Sequence, residues 1–190
     1  NGTFSVIANT SLKAGDTLDI HVPEGNFVLS PNADANNTYA AFVAGSGITP
    51  VLSMVKTVLA EAPNSRFVLI YGNKTPKETI FYKELLALQA DHEDRLFIEF
   101  VYSRSQEDNA LFGRIEKSTV NYILKNKFKD TSFNAFYLCG PEEMITIETD
   151  NLLENGIEKD NIHFEYLQVV LPRLKSMMRW TGNQISRFLW

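Results

Sequence analysis

From Tyr39 onward, short apolar runs alternate with longer stretches of helical periodicity, and no other feature of this sequence narrows the fold as far. Tyr39–Ala44, Phe67–Tyr71, Leu96–Tyr102, Ala135–Leu138 and Ile162–Tyr166 read as strands. Between them, Val51, Met54, Val55, Val58 and Leu59 fall on one helical face. Phe81, Leu85 and Leu88 mark a second helix, Val120, Ile123 and Leu124 a third, and Met144, Ile145, Leu152 and Leu153 a fourth that Gly156 stops. Strands separated by helices pair through right-handed crossovers, so the expected fold is α/β, a doubly wound five-stranded parallel sheet.

A chain of 190 residues suits one such domain with something incomplete beside it. The residues are 44% hydrophobic and 22% charged, which provides for a sizeable core and excludes a disordered or collagen-like chain. A formal net charge of −5 argues against nucleic acid as a partner, because phosphate contacts need a basic surface. Cys139 is the single cysteine, so an internal disulfide is impossible, and the three histidines form no zinc pattern. No metal ligand set is expected, and a reducing, cytoplasmic setting is the default. The chain opens on Asn1 rather than Met, which suggests that a segment preceded it.

The first thirty residues read as β structure: Leu18–Val22 alternates after the turn signal Ala14-Gly15-Asp16, and Phe27–Leu29 forms a second short run. Residues 31–38 are polar and turn-forming, a linker.

In a doubly wound sheet the ligand lies at the carboxyl ends of the strands. There the sequence places Gly45-Ser46-Gly47-Ile48-Thr49-Pro50, Gly72-Asn73-Lys74, Ser103-Arg104, Cys139-Gly140-Pro141 and Glu165-Tyr166. Gly45 and Gly47 permit positive φ and a close backbone approach, Thr49 is placed to cap a helix, and Pro50 fits its first turn. Free N–H groups at that helix start, together with the dipole, suit a pyrophosphate. Taken alone, each feature has a plainer reading. The glycine turn is an ordinary strand-to-helix connection, Cys139 an inert packing residue, and Lys74, Arg104 and Glu165 solvated surface charges.

The ordered set AGSGITP, YGNK, YSR, FGRI, YLCGP and IHFEY resembles the pyridine-nucleotide domain of the ferredoxin–NADP reductase superfamily, and within it the reductase components of oxygenases of the phenylacetyl-CoA epoxidase type. The resemblance implies that Gly45, Ser46, Gly47, Ile48, Thr49 and Pro50 form the pyrophosphate and nicotinamide-side turn. It implies a 2′-phosphate site at Ser103 and Arg104, with Asn73 and Lys74 at the neighbouring strand end and Arg114 in the Gly-Arg-Ile element. Cys139, Gly140 and Pro141 match the nicotinamide-proximal loop, Met144 begins the next helix, and Glu165 matches a carboxylate beside the terminal aromatic. Cys139 and Glu165 are the implied catalytic pair.

The resemblance is incomplete at both ends. Gly2 and Ser5 match a flavin pyrophosphate element, and residues 1–35 resemble the end of a flavin-binding β-barrel whose upstream flavin motif the chain lacks. Residues 36–166 form the expected NAD(P)-binding domain. Residues 167–190 hold four cations and no acid, so this basic tail is +4 against −9 for the remainder. A docking or membrane-surface helix is one reading of it; a helix packed on the body, or an unnatural chain end, is the other. One cysteine cannot hold the iron–sulfur cluster that such reductases often carry.

The function implied is a flavin-dependent NAD(P)H oxidoreductase. It takes hydride from NADP(H) or NAD(H) to FAD and passes electrons to an acceptor protein such as an oxygenase or ferredoxin. No membrane partner is expected. The rival reading is a non-catalytic nucleotide-binding or regulatory module without a complete flavin site.

Overall fold

The computed structural model describes residues 3–19 and 24–167. Six parallel strands form one sheet: β1 (Thr38–Ala44), β2 (Arg66–Asn73), β3 (Leu96–Tyr102), β4 (Leu111–Phe112), β5 (Ala135–Gly140) and β6 (Ile162–Tyr166), in the order β4-β3-β2-β1-β5-β6. The chain walks outward from β1 to β4, then returns to the other side of β1. Strand order therefore reverses between β1 and β5, where a crevice opens at their carboxyl ends.

The inner strands β1, β2 and β5 are almost wholly apolar because both of their faces are covered, whereas the edge strand β6 is largely exposed. Tyr39, Ala41 and Val43 of β1, with Phe67, Leu69 and Tyr71 of β2 and Tyr137 and Cys139 of β5, face α2 (Ile48–Glu61) and α3 (Tyr82–Asp91). The alternate residues Ala40, Phe42, Val68, Ile70, Phe136 and Leu138 face α4 (Lys117–Tyr122) and α5 (Glu142–Glu154). Each fully buried Val, Leu, Ile or Phe adds roughly 1.5–3 kcal/mol relative to exposure, so two full layers fix the register. Cys139 and Gly140, adjacent in sequence, consequently project to opposite layers.

The five expected strands and four expected helices are present, with local differences. A sixth strand, β4, escapes a periodicity reading because it is two residues long. Phe81 does not belong to the second helix: it holds the left-handed conformation at φ 59 immediately before α3 and is exposed. The third helix ends after α4 in a π turn, Ile123–Lys127. Near the start, Thr3–Thr10 forms a helix, α1, with no buried residue, in place of the expected β structure. Phe27 and Leu29 tuck toward the core while Val28 is exposed, so the alternation exists, but the segment joins no ladder. Residues 20–23 of the other expected run, and 168–190 of the basic tail, lie outside the described residues. The polar stretch before β1 is tied down by the buried Ser65, whose Oγ donates to Ala35 O at 3.0 Å and accepts from Asn37 N–H at 3.2 Å.

Candidate functional site

The crevice at the strand ends is a cleft of about 630 Å³. Its glycine turn shows a division of labour between two residues. Gly45 is at φ +54, where a side chain is strained, and space around it is open. Gly47 has an ordinary φ of −60, but a Cβ on it would lie 2.3 Å from the Cys139 carbonyl oxygen and 3.1 Å from its Sγ. The first glycine makes the bend and the second lets the turn lie flat against β5. Gly140 is less rigidly confined, since a Cβ there would meet Met144 Cε at 2.5 Å, the end of a side chain that can swing aside, and Ala44 Cβ at 3.3 Å.

Gly45–Gly47 coil into a single 3-10 turn that runs directly into α2, with Gly47 as its N-cap and no side-chain cap. Thr49 is not the cap that the sequence suggests. The helix starts at Ile48, one residue before it, so its hydroxyl lies inside the first turn and donates to Ser46 O at 3.0 Å. Pro50 falls in the first turn, where its missing N–H costs nothing. With no side-chain cap, the start of α2 is an anion-favouring pole at the mouth of the crevice.

Gly45, Ser46, Asn73, Lys74, Ser103, Arg114, Pro141 and Met144 all line the cleft. Asn73 lines the cleft, but its Nδ2 is buried behind the surface without a close hydrogen-bond partner among the described residues, and its side chain stands beside the Tyr71 hydroxyl. Ser103 and Arg104 are drawn to the end of β2 by backbone bonds, Ser103 N–H to Asn73 O at 3.0 Å and Arg104 N–H to Lys74 O at 2.9 Å. Lys74 Nζ stands 3.7 Å from Glu78, which also accepts from Thr75 Oγ1 at 3.1 Å. The Arg104 side chain is exposed and makes no ion pair among the described residues; Glu107 beside it is engaged by the Ser105 hydroxyl.

Other expected residues stand behind or away from the cleft wall. Ile48 and Cys139 are fully buried. Cys139 pairs in register with Glu165 on the edge strand β6. Burial, followed by that carboxylate, pushes the thiol up to about 11, so it remains protonated near neutrality. Glu165 is exposed. Ser5 is exposed on α1 and does not line the cleft, and Gly2 lies outside the described residues.

Sequence reasoning passes over Glu78, Glu116 and Glu143, which bring three carboxylates to a cleft whose lining cations are Lys74 and Arg114. It also misses Tyr71, whose hydroxyl donates to Gly45 O at 2.9 Å from the adjacent strand. Glu143 has a signal in its place two residues after Pro141; Tyr71 reads in the sequence only as core.

The profile of the oxidoreductase NAD-binding domain family matches residues 42–150, a span running from mid-β1 into α5 and holding most of the cleft lining. The chain belongs to that family. This NAD-binding domain is 32% identical over 175 residues to one of the subunits of the 1,2-phenylacetyl-CoA epoxidase of Escherichia coli K12, covering 92% of this chain and 49% of that one. It is 29% identical over 190 residues to flavohemoprotein B of Dictyostelium discoideum, covering 98% and 44%. Among solved structures, the CS-b5R domains of human Ncb5or in the NAD+ form superpose with a TM-score of 0.71 at 28% identity, over 86% of this chain and 45% of that one. The chain spans about half the length of the curated relatives it matches. The resemblance to the ferredoxin–NADP reductase superfamily is thereby borne out.

Proposed function

We propose that the chain is the nucleotide half of a flavin-dependent NAD(P)H reductase whose flavin then serves a separate acceptor protein. The observation that carries this reading is the glycine turn that leads into the uncapped start of α2 and lines, through Gly45 and Ser46, a crevice at the reversal of strand order, in a domain of the NAD-binding family. A flavin, when bound, supplies the conversion of a hydride into single electrons; the protein's part is to hold the rings together and tune the charge around them.

In this reading Gly45, Ser46 and Gly47 cradle the pyrophosphate, with Ile48, Thr49 and Pro50 fixing the first turn of α2 behind it. Asn73 lines the same wall of the cleft, next to Lys74. Lys74, Ser103 and Arg104 take the adenosine end, where a 2′-phosphate adds a charge-assisted bond to Arg104, and Arg114 faces the same cleft. Gly140, Pro141 and Met144 border the nicotinamide side, while Cys139 beneath Gly47 and Glu165 beside it set the local polarity. Gly2 and Ser5 are the chain's own contribution to the flavin site, residues 1–35 being the end of the flavin domain.

The acceptor is an oxygenase or a ferredoxin-like carrier, as the phenylacetyl-CoA epoxidase relative suggests by its name. The setting is cytoplasmic, and no helix among the described residues is long and apolar enough to cross a membrane. The test is anaerobic mixing of the whole gene product with NADPH or NADH while flavin absorbance is followed. Bleaching of the flavin supports the reading. Tight nucleotide binding that leaves the flavin oxidised overturns it.

A further inference from the structure

Gly45 sits in the left-handed region with open space around it, so the peptide between Gly45 and Ser46 is the least constrained link in the glycine turn. A planar trans peptide carries its C=O and the following N–H on opposite sides. Whichever way the Gly45 carbonyl points, the Ser46 N–H points the other way. If this peptide flips, the cleft meets a carbonyl oxygen where an anion needs a donor.

Two donors hold the Gly45 carbonyl. One is the N–H of Ile48, which closes the 3-10 turn. The other is the Tyr71 hydroxyl at 2.9 Å, reaching across from β2, where Tyr71 stands in register with Val43, two residues before the turn. Tyr71 is completely buried in the α2-side layer, so its hydroxyl approaches from beneath the sheet edge, while Gly45 and Ser46 line the cleft on the other side. The two lone pairs of the carbonyl are thus used on the core side.

We infer that Tyr71 is a positioning residue for the dinucleotide: its hydroxyl locks the Gly45–Ser46 peptide with the carbonyl inward and the Ser46 N–H outward, toward the pyrophosphate. This rests on the nucleotide reading above and deepens it by assigning the orientation of one backbone donor to one buried side chain. Two further observations agree. Ile80 O stands at 3.5 Å and the Asn73 side chain also reaches the hydroxyl, so Gly45 O at 2.9 Å is the nearer of the two backbone acceptors for its proton. Burial pushes the Tyr71 phenol up to about 12, so it stays a donor throughout the working pH range.

The experiment titrates the full chain, wild type and Tyr71→Phe, with ADP-ribose by calorimetry, with Tyr137→Phe as a control that removes a buried hydroxyl remote from the turn. In Tyr71→Phe the expected result is an affinity loss of about fivefold to tenfold, the worth of one hydrogen bond, with thermal stability close to that of the control. A second readout needs no variant: in the 15N-labelled wild type, ADP-ribose shifts the Ser46 amide resonance strongly downfield as the N–H bonds to the anion. Wild-type binding matched by Tyr71→Phe overturns the role of the tyrosine alone, as does an unmoved Ser46 amide in saturated wild type. A wild-type chain that binds no ADP-ribose overturns the nucleotide reading itself.

Discussion

Gly47 lies against the backbone of Cys139 so closely that any side chain on it would overlap the Cys139 carbonyl oxygen, 2.3 Å from the position a Cβ would take. β1 and β5 are neighbours with Val43 paired to Cys139, so the turn leaving β1 has to pass over the end of β5. Gly47→Ala must therefore push two backbones apart. The expected cost is about 1–3 kcal/mol of stability together with loss of nucleotide binding. Gly45→Ala meets no atoms, only the left-handed strain of about 1–2 kcal/mol. Chemical denaturation of both variants, with NADP+ titrations on each, checks the pair: the Gly47 variant loses affinity out of proportion to its stability.

Glu148 on α5 is completely buried and neither carboxylate oxygen has a hydrogen-bond partner among the described residues. Burial raises its pKa well above 4.5. The folded state then keeps a proton that the unfolded chain releases above that value, so this residue's contribution to stability is intact below about pH 4.5. It declines as pH rises toward the folded pKa. Glu148→Met removes the buried acid at similar volume. Stability at neutral pH is expected to rise by about 1–3 kcal/mol, and its decline above pH 5 to flatten, as read from urea midpoints across pH.

Cys139 is sealed beneath Gly47 with its thiol raised to about 11. Iodoacetamide is expected to label the folded chain at neutral pH only as fast as it unfolds. In the whole gene product, Cys139→Ala is expected to slow flavin reduction more than it weakens nucleotide binding, which stopped-flow and equilibrium titration separate. Normal reduction with lower stability would leave Cys139 as a packing residue.

Much of this arrangement is legible in the sequence because a doubly wound sheet writes itself twice, in the alternation of strand and helix and in the small and polar residues at each strand end. Tyr39–Ala44 and Leu96–Tyr102 coincide with β1, apart from Thr38, and with β3 because both faces of these strands are covered and the apolar run is unbroken. Thr49 reads as a cap only until the glycine turn is seen to coil into the helix, which moves the cap from Thr49 to Gly47, two residues earlier. The partnership of Tyr71 and Gly45 leaves no local trace: it joins a strand residue to the turn 26 positions earlier, and a buried tyrosine satisfies the same pattern as a phenylalanine. α1 is hidden for a different reason, since a helix with no buried residue displays no core-facing periodicity of its own making.

Ser5 is exposed on a helix with no buried residue, and no strand occurs among the described residues before β1. The chain of 190 residues is therefore expected to purify with little or no flavin. A stoichiometric flavin spectrum after gel filtration would refute this.

If the strand-end cleft binds pyridine nucleotide and favours the 2′-phosphate through Arg104, the ratio of NADP+ to NAD+ affinity has to change between the wild type and Arg104→Ala. The exposed guanidinium has no ion-pair partner among the described residues, and a charge-assisted bond to phosphate contributes about 1.5–3 kcal/mol. Roughly tenfold or greater preference for NADP+ is expected in the wild type, falling toward equality in the variant with NAD+ affinity unchanged. Equal affinities in the wild type, or a ratio that the substitution leaves in place, would contradict it.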